Sequence, residues 1–122
     1  MKTLQRTDRV EEEIKKVVGK LIDQDLKDPR LTGLISVTRV NVTRDLKICK
    51  IFVSMLATKD KEKAMAALKS ASGIVRKAIG ENIRMHFTPE VIFEFDDSLE
   101  YGAHIQNVIN ELNITHDEEN EE

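Results

Sequence analysis

The sequence predicts an α+β domain of two layers, with one three-stranded sheet that carries helices on one face. Two neighbouring segments rich in Val, Ile and Thr are separated by a polar turn, and a third such segment follows later. Apolar residues at helical spacing surround them. The 122 residues have the size of one domain, so a single core between the two layers is expected.

A first helix is predicted over residues 8–26, where apolar residues recur at helical spacing behind a segment that resembles a capping box. We expect Asp28-Pro29-Arg30 to stop it, because a proline pushes the preceding residue out of the helical region. Strands follow at 34–43 and 46–56. In the first of them the apolar residues change face, which predicts a bulge near Thr38 and Arg39.

The second half of the chain predicts two adjoining helices, a strand and a last helix. The first of these helices covers residues 60–71, and after an interruption at Ser72-Gly73 the next continues to about Met85. A strand over 89–95 places Val91, Phe93 and Phe95 on one face. The segment 97–100 is predicted to cap the last helix, which gives the order α-β-β-α-α-β-α.

Charge is strongly segregated along the chain, although the net charge is only −3. Every lysine and arginine lies before Met85, and the formally charged residues after it are all Asp or Glu. This segregation favours a polyanion as partner of the middle of the chain. We expect one folded domain over residues 1–114 and a disordered acidic tail over residues 115–122.

Several functional classes are not expected. The single cysteine, Cys49, allows no intramolecular disulfide and no cysteine-built zinc site, and its place in a strand predicts a buried, inert thiol. No glycine-rich phosphate loop, signal segment or membrane span is recognisable, so we expect no cofactor and a cytoplasmic location. For the acidic pair Asp96-Asp97 a turn with a helix cap is favoured over the active site of a small hydrolase.

The helix after Gly73 is predicted to carry a cationic face. A rotation of 100° per residue groups the following residues within an arc of about 100°: Arg76, Lys77, Gly80 and Arg84. Ile74, Val75, Ala78 and Met85 fall on the opposite side, toward the sheet. Gly73 allows backbone dihedrals and a close approach that a side chain would forbid. Aromatic residues are few and no aromatic recognition motif occurs, which argues against a sheet that stacks bases, so we expect contact with the backbone and shape of a nucleic acid.

The helix–break–helix at Ala71-Ser72-Gly73 resembles the type II KH domain, with an Ala-x-Gly kink in place of the usual G-x-x-G loop. This departure is similar to the bacterial ribosome-binding factor A family. The resemblance covers about residues 4–112, and its other matching segments are 27–31, 44–46, 74–76, 84–85, 89–90 and 96–99.

The resemblance implies a non-enzymatic assembly factor that binds the small ribosomal subunit and its 16S rRNA near the 5′ end. We expect the domain to be a monomer. Late rRNA processing, cold adaptation and interplay with assembly GTPases are also implied. The RNA-binding residues carried over by the resemblance are Lys69, Ser70, Ala71, Ser72, Gly73, Arg76, Lys77 and Arg84. Arg30, Arg44 and Lys47 are further candidates. For Arg30 and Arg44 an ion pair within a turn is an equal alternative.

A protein–protein adaptor without direct RNA contact is the alternative function, with the sheet edge or the last helix as its docking surface. The dependence of binding affinity on salt concentration distinguishes the two functions. Binding to phosphates weakens linearly in log salt concentration, whereas binding in an apolar groove changes little.

Overall fold

The computed structural model describes residues 6–98, and within this range it contains three helices and three strands. In chain order they are α1 (Arg6–Lys20, continued by a π-helical turn over Leu21–Asp25), β1 (Leu34–Val42), β2 (Ile48–Leu56), α2 (Lys61–Ser70), α3 (Ser72–Asn82) and β3 (Glu90–Phe95). This order confirms the predicted α+β domain of KH-like architecture.

The three strands form one sheet in the order β1-β2-β3. β1 and β2 are an antiparallel hairpin, whereas β2 and β3 run parallel, with Ile48 opposite Glu90. A parallel neighbour needs a long crossover, which α2 and α3 provide. The register of the hairpin shifts between Val37 and Arg39, so the predicted bulge is confirmed.

The core lies between one face of the sheet and the helices. Cys49, Ile51 and Val53 of the central strand are fully buried there. The helices cover them with buried apolar residues at helical spacing: Ile14 and Val18 of α1, Ala64 and Leu68 of α2, and Val75 and Ile79 of α3. Val91 and Phe93 are also buried, which places the apolar side of β3 on this core, as predicted.

One helix end agrees with the prediction and one differs from it. The first helix ends at Asp25, within a residue of the predicted end, since Leu26 is extended and its N–H closes the π-helical turn on the Leu21 carbonyl at 2.8 Å. α3 ends at Asn82 and does not reach Met85. Ile83 is extended and buried, so its side chain enters the core as the chain turns toward β3.

The predicted orientation of α3 is wrong at Ile74, which is 56% exposed. Val75 is buried as predicted, and Ala78 and Met85 pack against the core. Ile79 is buried with Val75, because residues four apart lie above one another on a helix.

The predicted last helix, the end of the domain at residue 114 and the acidic tail over 115–122 lie outside the described residues. Between residues 6 and 98, no helix is long and apolar enough to span a membrane.

Candidate nucleic-acid interface

A single residue separates α2 from α3. Ala71 ends the first helix and begins the second, with φ −87° and ψ 4°. Its N–H donates to the Ala67 carbonyl at 3.0 Å, and its carbonyl accepts from the Val75 N–H at 2.9 Å. At the predicted interhelical kink, both backbone polar groups of Ala71 are therefore hydrogen-bonded.

The two serines of the kink fold their hydroxyls back onto α2. Ser70 Oγ donates to the Ala66 carbonyl at 2.9 Å, and Ser72 Oγ donates to the Lys69 carbonyl at 2.7 Å. The bond of Ser70 is the usual one from a helical serine to the carbonyl four residues earlier, and the bond of Ser72 adds a donor to a carbonyl in the last turn of α2. The hydroxyl oxygens keep acceptor capacity, and Lys69 beside them is exposed.

Gly73 does not use the conformational freedom that we expected of it. It is the second residue of α3, and in the described range the only glycine with a positive φ is Gly33. Apart from its two chain neighbours and the adjacent backbone of α3, a Cβ built at Gly73 would meet no atom within 4 Å. The fold therefore does not require a glycine here, and its absent side chain leaves open surface.

The amino end of α3 favours an anion. The helix has eleven residues, and no side chain in the described part of the protein caps its amino end. Backbone N–H groups of a first helical turn lack intrahelical acceptors, and the helix dipole adds partial positive charge there. A phosphate is the kind of group that such a helix end binds.

Arg76, one turn beyond Gly73, connects α3 to the segment before β3. Its Nη2 donates to the Thr88 carbonyl at 3.1 Å, and the side chain stays exposed with further N–H donors. Lys77 lies beside it and is exposed. Its Nζ is 3.9 Å from Glu81 Oε1, a loose surface pair that leaves the ammonium accessible.

The β1–β2 turn lies at the same end of the domain. The Glu90 N–H donates to the Lys47 carbonyl at 2.8 Å, two residues after the Thr88 carbonyl that Arg76 binds. Arg44 and Lys47 are both exposed. These bonds place the β1–β2 turn at the end of the domain to which Arg76 is bonded. We call Lys69–Gly73, Arg76, Lys77, Arg44 and Lys47 the kink surface.

For Arg44 the sequence left two alternatives, contact with RNA and an ion pair within the turn. Asp45 accepts from Thr43 Oγ1 at 2.6 Å and from the Lys47 N–H at 3.1 Å, and these bonds lower the pKa of its carboxyl. Within residues 6–98 Arg44 has no ion pair. Its guanidinium is therefore available to a phosphate.

Arg30 is not part of the kink surface. Its Nε and Nη2 donate to the two carboxylate oxygens of Asp28 at 3.0 and 2.8 Å, and these bonds lower the pKa of Asp28 to about 2. The neighbouring Thr32 is bonded to Thr58 and Lys59, beyond the carboxyl end of β2. Arg30 thus lies at the end of the hairpin opposite Lys47 and forms the ion pair within a turn.

Arg84 is exposed but stands in the loop that follows α3, so the prediction of one helical face with Arg76 is wrong. The same loop carries Phe87, which is 72% exposed and which the sequence argument missed. The available signal was its place between the periodic segments of α3 and β3, where no buried stripe accounts for an aromatic residue.

The other candidate groups have structural roles. Thr38 Oγ1 donates to Asp96 Oδ2 at 2.6 Å, and the pKa of Asp96 is lowered to about 2, which gives no support to a hydrolase acid at that residue. Cys49 is buried as predicted, and burial raises the pKa of its thiol to about 12. Within residues 6–98 no group of His, Cys, Asp and Glu could hold a metal ion.

Comparison with known proteins gives one consistent family. A model of the family described as ribosome-binding factor A matches residues 6–109. A Caldicellulosiruptor bescii protein of that name is 49% identical over 95% of this chain and 90% of its own length. A Clostridium tetani protein of the same name is 41% identical over 94% of this chain and 96% of its own.

Comparison of structures gives the same family. The crystal structure of ribosome-binding factor A from Thermus thermophilus is 27% identical and superimposes with a TM-score of 0.66, over 73% of this chain and 93% of that one. A homology model of the same Thermus protein, fitted into a cryo-EM map of a 30S complex, gives a TM-score of 0.62 at 27% identity and the same coverage.

Proposed function

Because this chain belongs to the ribosome-binding factor A family, we propose that it binds the small ribosomal subunit and its 16S rRNA through the kink surface. It does so as a cytoplasmic, monomeric factor without enzymatic activity. The proposal includes contact near the 5′ end of the rRNA, a role in late rRNA processing and in cold adaptation, and functional interplay with assembly GTPases. The Thermus relative fitted into a 30S complex supports the choice of subunit.

The observation that carries the proposal is the chain of contacts from α3 to the β1–β2 turn. Arg76 binds the carbonyl of Thr88, and the backbone of Glu90 binds that of Lys47. Two elements far apart in sequence thereby present their cations at one end of the domain. Charges collected in this way release counterions when they neutralise phosphates, which is the main source of affinity for a nucleic-acid backbone.

In this proposal, different parts of the kink surface bind different phosphates of the RNA. The amino end of α3 receives one phosphate through backbone N–H groups, and the open surface at Gly73 admits it. Arg76 and Lys77 flank that phosphate one turn further along. Arg44 and Lys47, on the adjacent turn, contact a neighbouring phosphate. None of these contacts reads a base, so they position the RNA without selecting a sequence.

Charge reversal tests the proposal directly. Arg76→Glu with Lys77→Glu should abolish co-sedimentation with purified small subunits, both mature and precursor, and circular dichroism should show an unchanged fold. The milder pair Arg76→Gln with Lys77→Gln should retain weak binding. Its slope of log affinity against log salt should be flatter by about 1.5–2, since two phosphate contacts are lost.

Lys59→Glu with Lys63→Glu is the matched control. Both lysines are exposed, the change in charge is the same, and they follow the carboxyl end of β2, away from the β1–β2 turn. This variant should bind nearly as the natural protein does. Unchanged affinity and salt slope in both Arg76/Lys77 variants would refute the kink surface, and a salt-independent affinity of the natural protein would favour the adaptor alternative.

A further inference from the structure

The loop between α3 and β3 is anchored at several points and displays three side chains. Ile83 and Pro89 are buried at its ends, and Met85 packs against the core between them. Arg84, His86 and Phe87 are exposed. Buried neighbours on both sides fix the path of the loop, so the position of its exposed side chains is set by the fold.

Phe87 differs from the other phenylalanines. Phe93 is buried in the core, Arg39 lies 4.2 Å from the centre of the Phe52 ring, and Lys61 lies 5.7 Å from the centre of the Phe95 ring. Phe87 is 72% exposed.

Within the described range the ring contact of Phe87 is an edge-to-face one with His86, with centroids 4.6 Å apart and planes at 80°. An edge-to-face neighbour cannot cover both faces of a ring. At least one face of Phe87 is therefore open to a planar partner.

The surroundings of Phe87 are cationic. It directly precedes Thr88, whose carbonyl holds Arg76, and it follows Arg84 by three residues. An apolar pocket on a protein partner would have to remove water from these charges, which is costly without paired anions. An RNA strand provides both a planar base for the ring and phosphates for the cations.

We propose that Phe87 is a stacking platform for one unpaired base of the bound RNA. The inference rests on the proposed function and deepens it, because it makes the RNA at this end of the domain single-stranded or bulged. Bases paired inside a duplex do not offer their faces to a side chain, whereas splayed bases stack on aromatic rings. Stacking tolerates all four bases, so the contact selects unpaired structure and not sequence.

The chain contains no tryptophan, so Phe87→Trp creates a single fluorescent reporter at the site. This variant should bind precursor small subunits as tightly as the natural protein, and its emission should be quenched on binding and also by a single-stranded oligoribonucleotide. Phe87→Ala should weaken binding roughly 5- to 150-fold, the effect of losing one stacked base. Its salt slope should stay unchanged, because no charge is removed.

Leu56→Ala is the matched control, since Leu56 is 57% exposed and lies at the end of β2 away from the β1–β2 turn. It should bind as the natural protein does. Equal binding by Phe87→Ala and the natural protein, or an unquenched Phe87→Trp, would overturn the stacking while the proposed function stands. A blue shift without quenching would indicate a protein pocket and would also overturn it. Failure of the natural protein itself to bind small subunits would refute the proposed function, and the stacking with it.

Discussion

Thr38 and Asp96, fifty-eight positions apart, are joined by a hydrogen bond of 2.6 Å from Thr38 Oγ1 to Asp96 Oδ2. Thr38 is the extra residue of the β1 bulge, and Asp96 directly follows β3, so the bond passes over the central strand. The bulge turns the Thr38 side chain toward the end of β3, and the bond fastens the two outer strands to each other.

This bond makes the pKa of Asp96 testable. Thr38 contributes most to lowering that pKa to about 2, followed by Ser98 and then by the charge of Arg39. Thr38→Val should raise the pKa of Asp96 toward the ordinary value near 3.9, as followed by NMR titration. The pKa of Asp28, bonded to Arg30, should stay near 2 in the same variant.

The lowered pKa of Asp96 makes the free energy of unfolding depend on pH. A carboxyl whose pKa is lowered on folding stabilises the native state above its unfolded pKa, and this contribution is lost as pH falls from about 4 toward 2. The natural protein should thus lose more stability than Thr38→Val over that interval in urea titrations. Parallel curves for the two proteins would contradict the role of the bond.

Arg76 should hold the loop before β3, whereas Lys77 should not. Arg76→Met removes the bond to the Thr88 carbonyl, so amide hydrogen exchange of residues 84–88 should accelerate. Lys77→Met removes only a loose pair with Glu81 and should leave exchange in the loop unchanged. Equal exchange in both variants would show that the loop is held by its buried anchors alone.

Two glycines should respond oppositely to alanine. Gly73→Ala brings a methyl group into open space beside α3, so its free energy of unfolding should stay the same or rise by up to about 1 kcal/mol. Subunit binding should weaken, because the methyl group occupies the surface proposed to admit a phosphate. Gly33 has a φ of +72°, and a Cβ there would lie 2.6 Å from the Ala57 carbonyl carbon. Gly33→Ala should cost about 1–3 kcal/mol or more in urea unfolding. A clearly destabilised Gly73→Ala would contradict the open surface at the kink.

Cys49 should act as a core residue without chemical function. Its burial and the charge of Glu11 raise the pKa of the thiol to about 12, so a thiol reagent at pH 8 should react at the rate of unfolding. Cys49→Ala should cost about 1 kcal/mol of stability and leave subunit binding intact. Rapid modification of the folded protein, or loss of binding without loss of stability, would contradict this role.

The helices, the hairpin and the bulge at Thr38 could be predicted because each depends on neighbours in sequence. Apolar spacing sets the buried face of a helix, and the change of face between Val37 and Val40 reports the bulge. Helix ends were less accurate. α3 ends at Asn82 because Ile83 is drawn into the core, which the helical pattern of α3 itself does not reveal.

By itself the sequence determined the order of elements, the position of the interhelical kink and the segregation of charge, since composition and periodicity act over a few residues. The tertiary structure alone decided which cations meet. The parallel pairing of β2 with β3 places the Lys47 turn beside the segment that Arg76 holds, and it leaves Arg30 at the far end of the hairpin with Asp28. Parallel pairing joins residues far apart in sequence, and its position depends on where the α2–α3 crossover returns the chain to the sheet.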